Sequence, residues 1–484
     1  MNMLLLIPVF LPIFSGLYML ARPFAVRRRR NAFVSAVTVL TSLSIAYLAL
    51  MGDAGTVTLL RLDDTLSVAL HMDGLSRVFA VIIAVMWPAA VLYSFEYMSH
   101  EENENRFFAF YIITYGVVSG IASAENYFTL YLFYELLTLA TLPLVMHGMD
   151  GKARFAGKRY IIYSMSGAAM SFIAMILLSS IGSVEYIYGG TGTTDGRLAQ
   201  TVFLFGFFGF GVKSAVVPLH SWLPTAGVAP TPVSALLHAV AVVNSGIFAI
   251  LRLIYYTVGA DRLAGTAAQC IAMGFACITV VYGSAMALRQ RNLKRRLAYS
   301  TVSNLSYILL GATLMSPDGL AAALMHMTMH SVIKIILFFC AGALLCATHH
   351  RARCVEDYEG FGKKLPLLFT VFAIASLALI GVPPLAGFTS KWLIALAAAR
   401  SGTPMATAGV ASLCVSALLT GLYLMDVVVR AAFPINNALP DGGDVQKNGW
   451  RINLCLVVLT LLLIAVSAFA DEIYAYFAGI AGLV

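Results

Sequence analysis

Charge is scarce in this chain. Of its 484 residues only 11% are Asp, Glu, Lys or Arg, and 60% are hydrophobic. A water-soluble protein of that length could not cover so much apolar surface, so the composition implies a polytopic membrane protein. No CxxC pair occurs among the seven scattered cysteines, which argues against an iron–sulfur cluster or structural zinc. Nucleotide-binding glycine motifs and haem attachment motifs are also missing. The expectation is therefore no cofactor and no metal. Cys346, His349, His350 and Cys354 lie close in sequence, but they read as the polar end of a helix rather than a metal site. No alternation of apolar and polar residues marks β-barrel strands. The longest gaps between apolar runs, about 52–75, 183–199, 347–365 and 433–452, are too short for a soluble domain.

What is present is a succession of apolar runs of about 18–25 residues, the length that crosses the hydrocarbon as helix. They predict an all-α polytopic membrane protein with about fourteen transmembrane helices. The ranges are about 3–20, 31–51, 76–95, 107–123, 126–147, 160–182, 200–217, 229–255, 264–288, 297–315, 319–346, 366–398, 405–432 and 453–479. The first run has no basic n-region and no small-residue cleavage site, and is read as retained rather than as a signal peptide. With the loop after it placed in the cytoplasm, the cytoplasmic loops hold 22 Lys and Arg, including Arg27 to Arg30 and Lys294 to Arg296. The opposite loops hold four: Arg61, Arg197, Arg262 and Arg400. Positive residues favour the cytoplasmic side, so both termini are expected outside. The same asymmetry, with lipid headgroups as partners, accounts for the net charge of +8. It does not suggest nucleic acid.

Three lysines, Lys213, Lys334 and Lys391, fall inside these apolar runs. A charge at mid-bilayer costs at least about 2.5–3.5 kcal/mol, so its default meaning is a path for protons or small cations. Glu135 is a carboxylate in another apolar run, and Lys213 is its natural partner. Pairing holds a proton on the lysine and separation in dry surroundings favours its release, which is a way to load and unload a proton. The alternative is a static ion pair that fixes helix packing. His326, His330 and Lys334 follow i, i+4, i+8 spacing, share one helix face and span about 12 Å along the axis. Histidine titrates near neutrality, so such a row suits a proton relay. Packing, or a zinc site, are the competing readings. His238 adds a polar point in an apolar helix, where a satisfied core histidine is the plainer reading. Lys391 reads as a terminal proton site opening outward, with snorkelling to an interface as the alternative.

Two runs carry internal breakers. Pro218 and Pro224 follow Lys213, and Pro383 and Pro384 precede Lys391. Broken helices in corresponding places of two halves point to inverted repeats. The expected organisation has an N-terminal region of three helices at residues 1–106. Two inverted five-helix repeats follow at 107–255 and 264–432, each with a broken helix. A C-terminal region at 433–484 carries the last helix.

The segments YELLTLATLPL, GVKSAVVPLHSWLPTAGVAPTPVSALLHA, NLKRRLAYSTVSNLSYILLG, HMTMHSVIKIILFFCAGA and GVPPLAGFTSKW resemble the antiporter-like membrane subunits. These include large subunits of Mrp-type sodium/proton antiporters, membrane-bound hydrogenases and respiratory complex I, with the D-type Mrp proteins the most similar. The resemblance covers about 70–430. It implies a proton-translocating subunit among other integral membrane subunits, in a bacterial or archaeal inner membrane, moving protons and exchanging a cation such as sodium. It implies that Glu135 tunes Lys213, that His238, His326, His330 and Lys334 form the central relay, and that Lys391 is terminal. Two alternatives stay open: a subunit of a redox-driven pump, and the membrane partner of an inorganic-carbon uptake system. The chain departs from the family at Asn244, where many relatives have lysine, at Thr225, often Asp, and at Asn292, the first residue of a loop motif usually starting with Asp. The chain also stops soon after the last expected helix, so the long lateral helix of the distal complex I subunit is not expected.

Overall fold

The computed structural model describes residues 2–483 except 53–54, 64–65, 181–183, 192–195, 350 and 435–444. His350 and stretches of three of the long loops therefore lie outside the described residues. A 3₁₀ turn, Asn2–Leu6, leads into α1 (Ile7–Ala21) and α2 (Arg27–Leu50). Strands β1 (Val57–Arg61) and β2 (Ser67–Leu70) form an antiparallel hairpin pairing Val57 with Leu70. The rest is helical: α3 (Gly74–Tyr97), α4 (Glu104–Ala122), α5 (Tyr127–Val145), α6 (Gly151–Ser179), α7 (Gly196–Gly211), α8 (Trp222–Ala226), α9 (Thr231–Ala239) and α10 (Val242–Arg252), the last running into a π-turn at Leu253–Val258. Then follow α11 (Ala260–Leu263), α12 (Ala267–Arg289), α13 (Leu293–Ala312), α14 (Pro317–Ala347), α15 (Phe361–Lys364), α16 (Pro366–Ile380), α17 (Ala386–Ser401), α18 (Pro404–Ala432), α19 (Trp450–Ala468) and α20 (Ala470–Ile480).

Helix starts are chemically marked. Asp73, Asn126 and Asp150 accept the backbone N–H of Ser76, Thr129 and Ala153, three residues on, and so cap α3, α5 and α6. Among the described residues, ten helical segments are long and apolar enough to cross a membrane. The other four expected spans are helical but miss that criterion. Helices α4 and α13 begin with charged turns, α7 stops at Gly211, and the twelfth expected span is split into α16 and α17. The protein is a multi-pass, mainly helical membrane fold.

Burial decides the layering. The apolar window of α14 is 94% buried and that of Thr231–Val258 is 100% buried, whereas those of α1, α2, α18 and α19 are 33% buried. The first two run through the middle, and the others present most of their apolar surface outward. The polar row on α14, His326, His330 and Lys334, is thus enclosed by the surrounding helices.

Several boundaries differ from the sequence reading. Lys213 lies past the end of α7, in an irregular segment that includes Ala215 at φ 57° and a cis Val217–Pro218 bond. The break therefore contains the lysine instead of following it. Pro224 sits inside the short α8 and breaks nothing. The eighth run, read as continuous, is interrupted at Val240 and Ala241 with no proline or glycine there. The last run bends at Phe469, where α19 gives way to α20, whose first turn carries Asp471 and Glu472. The α16–α17 break falls where Pro383 and Pro384 stand, closed by Gly381 at φ 93°. Gly387 is required there by close approach: a Cβ would collide with the Ala378 carbonyl oxygen.

Candidate functional site

Lys213 is fully buried. Its Nζ donates to the Tyr134 carbonyl and stands 3.4 Å from the centroid of the Tyr134 ring. Tyr134 is itself held by its hydroxyl, which donates to the Phe210 carbonyl at 3.2 Å. Glu135, next along α5, is only partly buried, and its Oε1 has no hydrogen-bond partner among the described residues. No ion pair within 4.0 Å joins Glu135 to Lys213 among those residues. The two groups are neighbours without contact, and the lysine is held by a carbonyl dipole and an aromatic face instead.

The centre is built on α14. Lys334 donates to the Leu297 carbonyl at 3.1 Å and to the Ser300 hydroxyl, both on α13. One turn earlier, His330 is fully buried, with neither ring nitrogen partnered among the described residues. The His326 ring follows at 6.4 Å, and its Nδ1 is 2.9 Å from the Ser390 hydroxyl of α17. The row thus leads from the α13 contact of Lys334 to α17.

His238 joins this centre from the side. It occupies the last turn of α9, and its ring stacks on Phe338 of α14 with centroids 4.7 Å apart. The interruption after α9 frees the Ala239 carbonyl from its normal helical partner. Asn244 supplies a substitute: its side-chain amide donates to Ala239 O at 3.0 Å and to Ser331 Oγ of α14 at 2.8 Å. The asparagine therefore clamps the broken helix to the relay helix.

Lys391 is partly buried, and folds back onto the end of α16. Its Nζ donates to the carbonyls of Leu379 at 2.6 Å and Ile380 at 3.0 Å. A cation there complements the negative end of the helix dipole. The Tyr307 ring lies 5.1 Å from the ammonium.

The model of the NADH:quinone oxidoreductase/Mrp antiporter transmembrane region matches residues 124–419, more than half of the chain. The chain belongs to this family. A second model, the N-terminus of chain 5 of NADH-ubiquinone oxidoreductase (complex I), matches residues 62–108. NADH-quinone oxidoreductase subunit N of Desulforudis audaxviator is 32% identical over 380 residues, which are 75% of this chain and 72% of that one. Hydrogenase-4 component B of Escherichia coli is 33% identical over 342 residues, 67% of this chain, which spans only 50% of that protein's length. A chain of the Mrp complex from Dietzia sp. DQ12-45-1b superposes with a TM-score of 0.85 over 99% of this chain and 96% of its own, at 19% identity, and so shares the fold.

In this antiporter-like chain the residue types singled out from sequence are buried or half-buried, but their partners were not foreseen. Tyr134, Ser300, Ser390, Phe338 and Tyr307 supply contacts that no charge-based reading marks. Their signal in the sequence was faint: hydroxyl-bearing residues inside runs that are otherwise apolar. Among the described residues, no group of three His, Cys, Asp or Glu is arranged to hold a metal ion.

An ion pair at the end of the central span was also missed. Arg252, 2% exposed, donates to both Asp73 oxygens at 2.5 and 2.7 Å and to Ser76 Oγ at 2.7 Å. Burial works against ionisation of Asp73, but the Arg252 guanidinium and the Ser76 donors more than offset it and bring its carboxyl down to about 2. The pair borders a cavity of about 260 Å³ lined also by His71, Glu125, Tyr186 and Tyr256. Burial pushes the Glu125 carboxyl up, against the pull of His71 and Arg252.

Proposed function

We propose that this chain is a proton-translocating subunit of a multisubunit membrane complex, most directly of Mrp-type cation/proton antiport. One observation carries the reading. Lys213 and Lys334 are fully buried and Lys391 is half-buried, and each is held by carbonyls, a hydroxyl or an aromatic face rather than by a carboxylate. A lysine held that way has no fixed counter-ion to lose, so its proton is free to come and go with small movements of neutral groups. A lysine serving only to pack helices would be expected to sit in a closed ion pair, as Arg252 does.

In this reading Glu135 tunes Lys213 by approaching and leaving it. His238, His326, His330 and Lys334 pass the proton along the middle, and Lys391 releases or receives it at the far end. The seventh and twelfth helices are the broken members of two inverted five-helix repeats, 107–255 and 264–432, in a fourteen-helix chain. The excess of Lys and Arg in alternate loops supports both termini outside, in a bacterial or archaeal inner membrane. Glu135 is only partly covered, which supports a neighbouring membrane subunit at α5, because lipid offers a carboxylate no hydrogen bond.

The test is proton transport by the complex reconstituted in vesicles. Lys213→Ala should abolish it while the complex still assembles, and intact transport in that variant would sink the proposal. A second reading is favoured by the relatives: they include a NADH-quinone oxidoreductase subunit and a hydrogenase component, so the complex is alternatively a redox-driven pump. Mass spectrometry of what co-purifies separates the two. Small membrane subunits alone indicate an antiporter, and iron–sulfur or nickel–iron subunits indicate a redox pump. A single large zinc protein would move the reading to inorganic-carbon uptake.

A further inference from the structure

Tyr307 borders both the histidine row and the terminal lysine. Its ring centroid is 5.3 Å from that of His326, edge to face at 70°, and 5.1 Å from Lys391 Nζ. The residue is fully buried on α13. Its hydroxyl points the other way and donates to Ser416 Oγ of α18 at 2.5 Å. Ser416 lies 2.5 Å from Ser284 Oγ of α12 and 3.0 Å from Ser303 Oγ of α13, and Ser284 and Ser303 are 2.8 Å apart. Ser303 also donates to the Val280 carbonyl at 2.8 Å. All three serines are fully buried.

The protons in this cluster can be followed one by one. Tyr307 gives its proton to Ser416, and Ser303 gives its own to Val280 O. The two remaining protons, on Ser284 and Ser416, then have only serine oxygens to point at. Three arrangements satisfy them: Ser416 to Ser284 to Ser303, Ser284 to Ser416 to Ser303, or both to Ser303, whose oxygen can accept two. Tyr307 donates in all three, so the clasp has a single use for the phenol proton. Removing a link strands a buried hydroxyl, which is costlier than the link is strong.

The ring and the hydroxyl therefore do different things. An aromatic ring offers no basic atom to the His326 and Lys391 that it borders, so on that side it acts as a wall. The alternative route, from His326 Nδ1 through Ser390 Oγ, ends at the backbone neighbour of Lys391, where Ser390 also donates to the Gly387 carbonyl at 3.2 Å. We propose that Tyr307 is the gate between the histidine row and Lys391, and that the Ser416–Ser284–Ser303 clasp across α12, α13 and α18 is the latch that keeps it shut. Tyr307 is then a positioning residue, one that sets when the proton step between its neighbours is allowed. The inference rests on the proposed proton path.

The experiment uses the whole complex in vesicles with an imposed pH gradient and a pH-sensitive dye inside. Passive proton leak is read in the wild type and in Ser416→Ala, Tyr307→Phe, the double variant of these two, Tyr307→Ala and Lys391→Ala. Ser416→Ala and Tyr307→Phe should each raise leak about tenfold, the population shift expected when one buried hydrogen bond holding a two-state side chain is lost. The double variant should leak no more than either single one, because both remove the same bond. Tyr307→Ala should leak most, and that leak should vanish when Lys391→Ala is added. A leak from loosened packing would survive that addition and would overturn the inference, as would wild-type leak in Tyr307→Ala. If Lys391→Ala alone transports protons like the wild type, the path and the gate fall together. If Lys391→Ala is inactive and the Tyr307 and Ser416 variants stay quiet, only the gate falls.

Discussion

Asp73→Asn is a perturbation whose size follows from the geometry. Asparagine has the same shape and is as good a helix cap as aspartate, so the contact with Ser76 N that starts α3 survives. What disappears is the charge opposite Arg252, whose guanidinium lies within 4.6–5.1 Å of the rings of Tyr256, Tyr186 and Phe248 and has no other carboxylate in contact among the described residues. Removing one partner of a buried ion pair costs about 3–5 kcal/mol. The Asp73 side chain keeps 26% of its surface accessible, which favours the lower end, about 3 kcal/mol. The depressed carboxyl gives a consistent figure: a fall from 3.8 to about 2 corresponds to roughly 2.5 kcal/mol. Because the folded value lies below the unfolded one, this stability is present above pH 3.8 and is lost as the pH falls through about 2. The assay is thermal unfolding in mild detergent, read by a thiol-reactive dye that reaches the buried Cys277, Cys340 and Cys455 only on unfolding. At roughly 2 °C per kcal/mol for a long chain, the midpoint at pH 7 should drop by about 6 °C. The share of the acid destabilisation due to Asp73 should be absent from the variant. A midpoint within about 1 °C of the wild type at pH 7 would refute the reasoning, because it would mean the guanidinium is solvated after all.

Other outcomes follow from the same structure. Glu135→Gln should abolish proton transport yet leave the unfolding midpoint unchanged, since no ion pair is lost; a fall in the midpoint would show a structural pair instead. Asn244→Ala should lower stability by about 1–3 kcal/mol in the same assay, because it strands the Ala239 carbonyl, while Ser331 keeps its own hydrogen bond to the Met327 carbonyl. Gly387→Ala should prevent correct folding, seen as loss of the monodisperse species in size-exclusion chromatography, because its Cβ meets the Ala378 carbonyl. Gly421→Ala is the control: its Cβ meets nothing, and in a helix interior it should be neutral or stabilising by up to about 1 kcal/mol.

Features that depend on one stretch of chain were legible in the sequence. Apolar run length identified a multi-pass helical fold, the spacing of His326, His330 and Lys334 gave their common face, and Pro383 and Pro384 marked the α16–α17 break. Features that depend on two stretches were not. Nothing local announces the interruption after His238, because the residue that makes it tolerable, Asn244, acts through a carbonyl five positions back and a serine on another helix. The expected contact of Glu135 with Lys213 rested on charge alone, and the structure satisfies the lysine with a backbone carbonyl, which every residue carries and no sequence pattern displays. Arg252 was hidden for the complementary reason: one arginine at the end of a span resembles an interface anchor until Asp73 is seen opposite it.

The docking of Lys391 on Leu379 and Ile380 has a mechanical side. The same ammonium that holds a proton also ties off the last carbonyls of α16, directly ahead of the hinge at Gly381 to Leu385. Charge and hinge therefore share one fastening, and neither moves without loosening the other. Linkage makes the bargain reciprocal: whatever steadies the hinge tightens the grip on the ammonium by the same free energy. A neighbouring subunit pressing on α16 or α17 would thus tune this lysine without touching it, as a finger on a string changes its pitch.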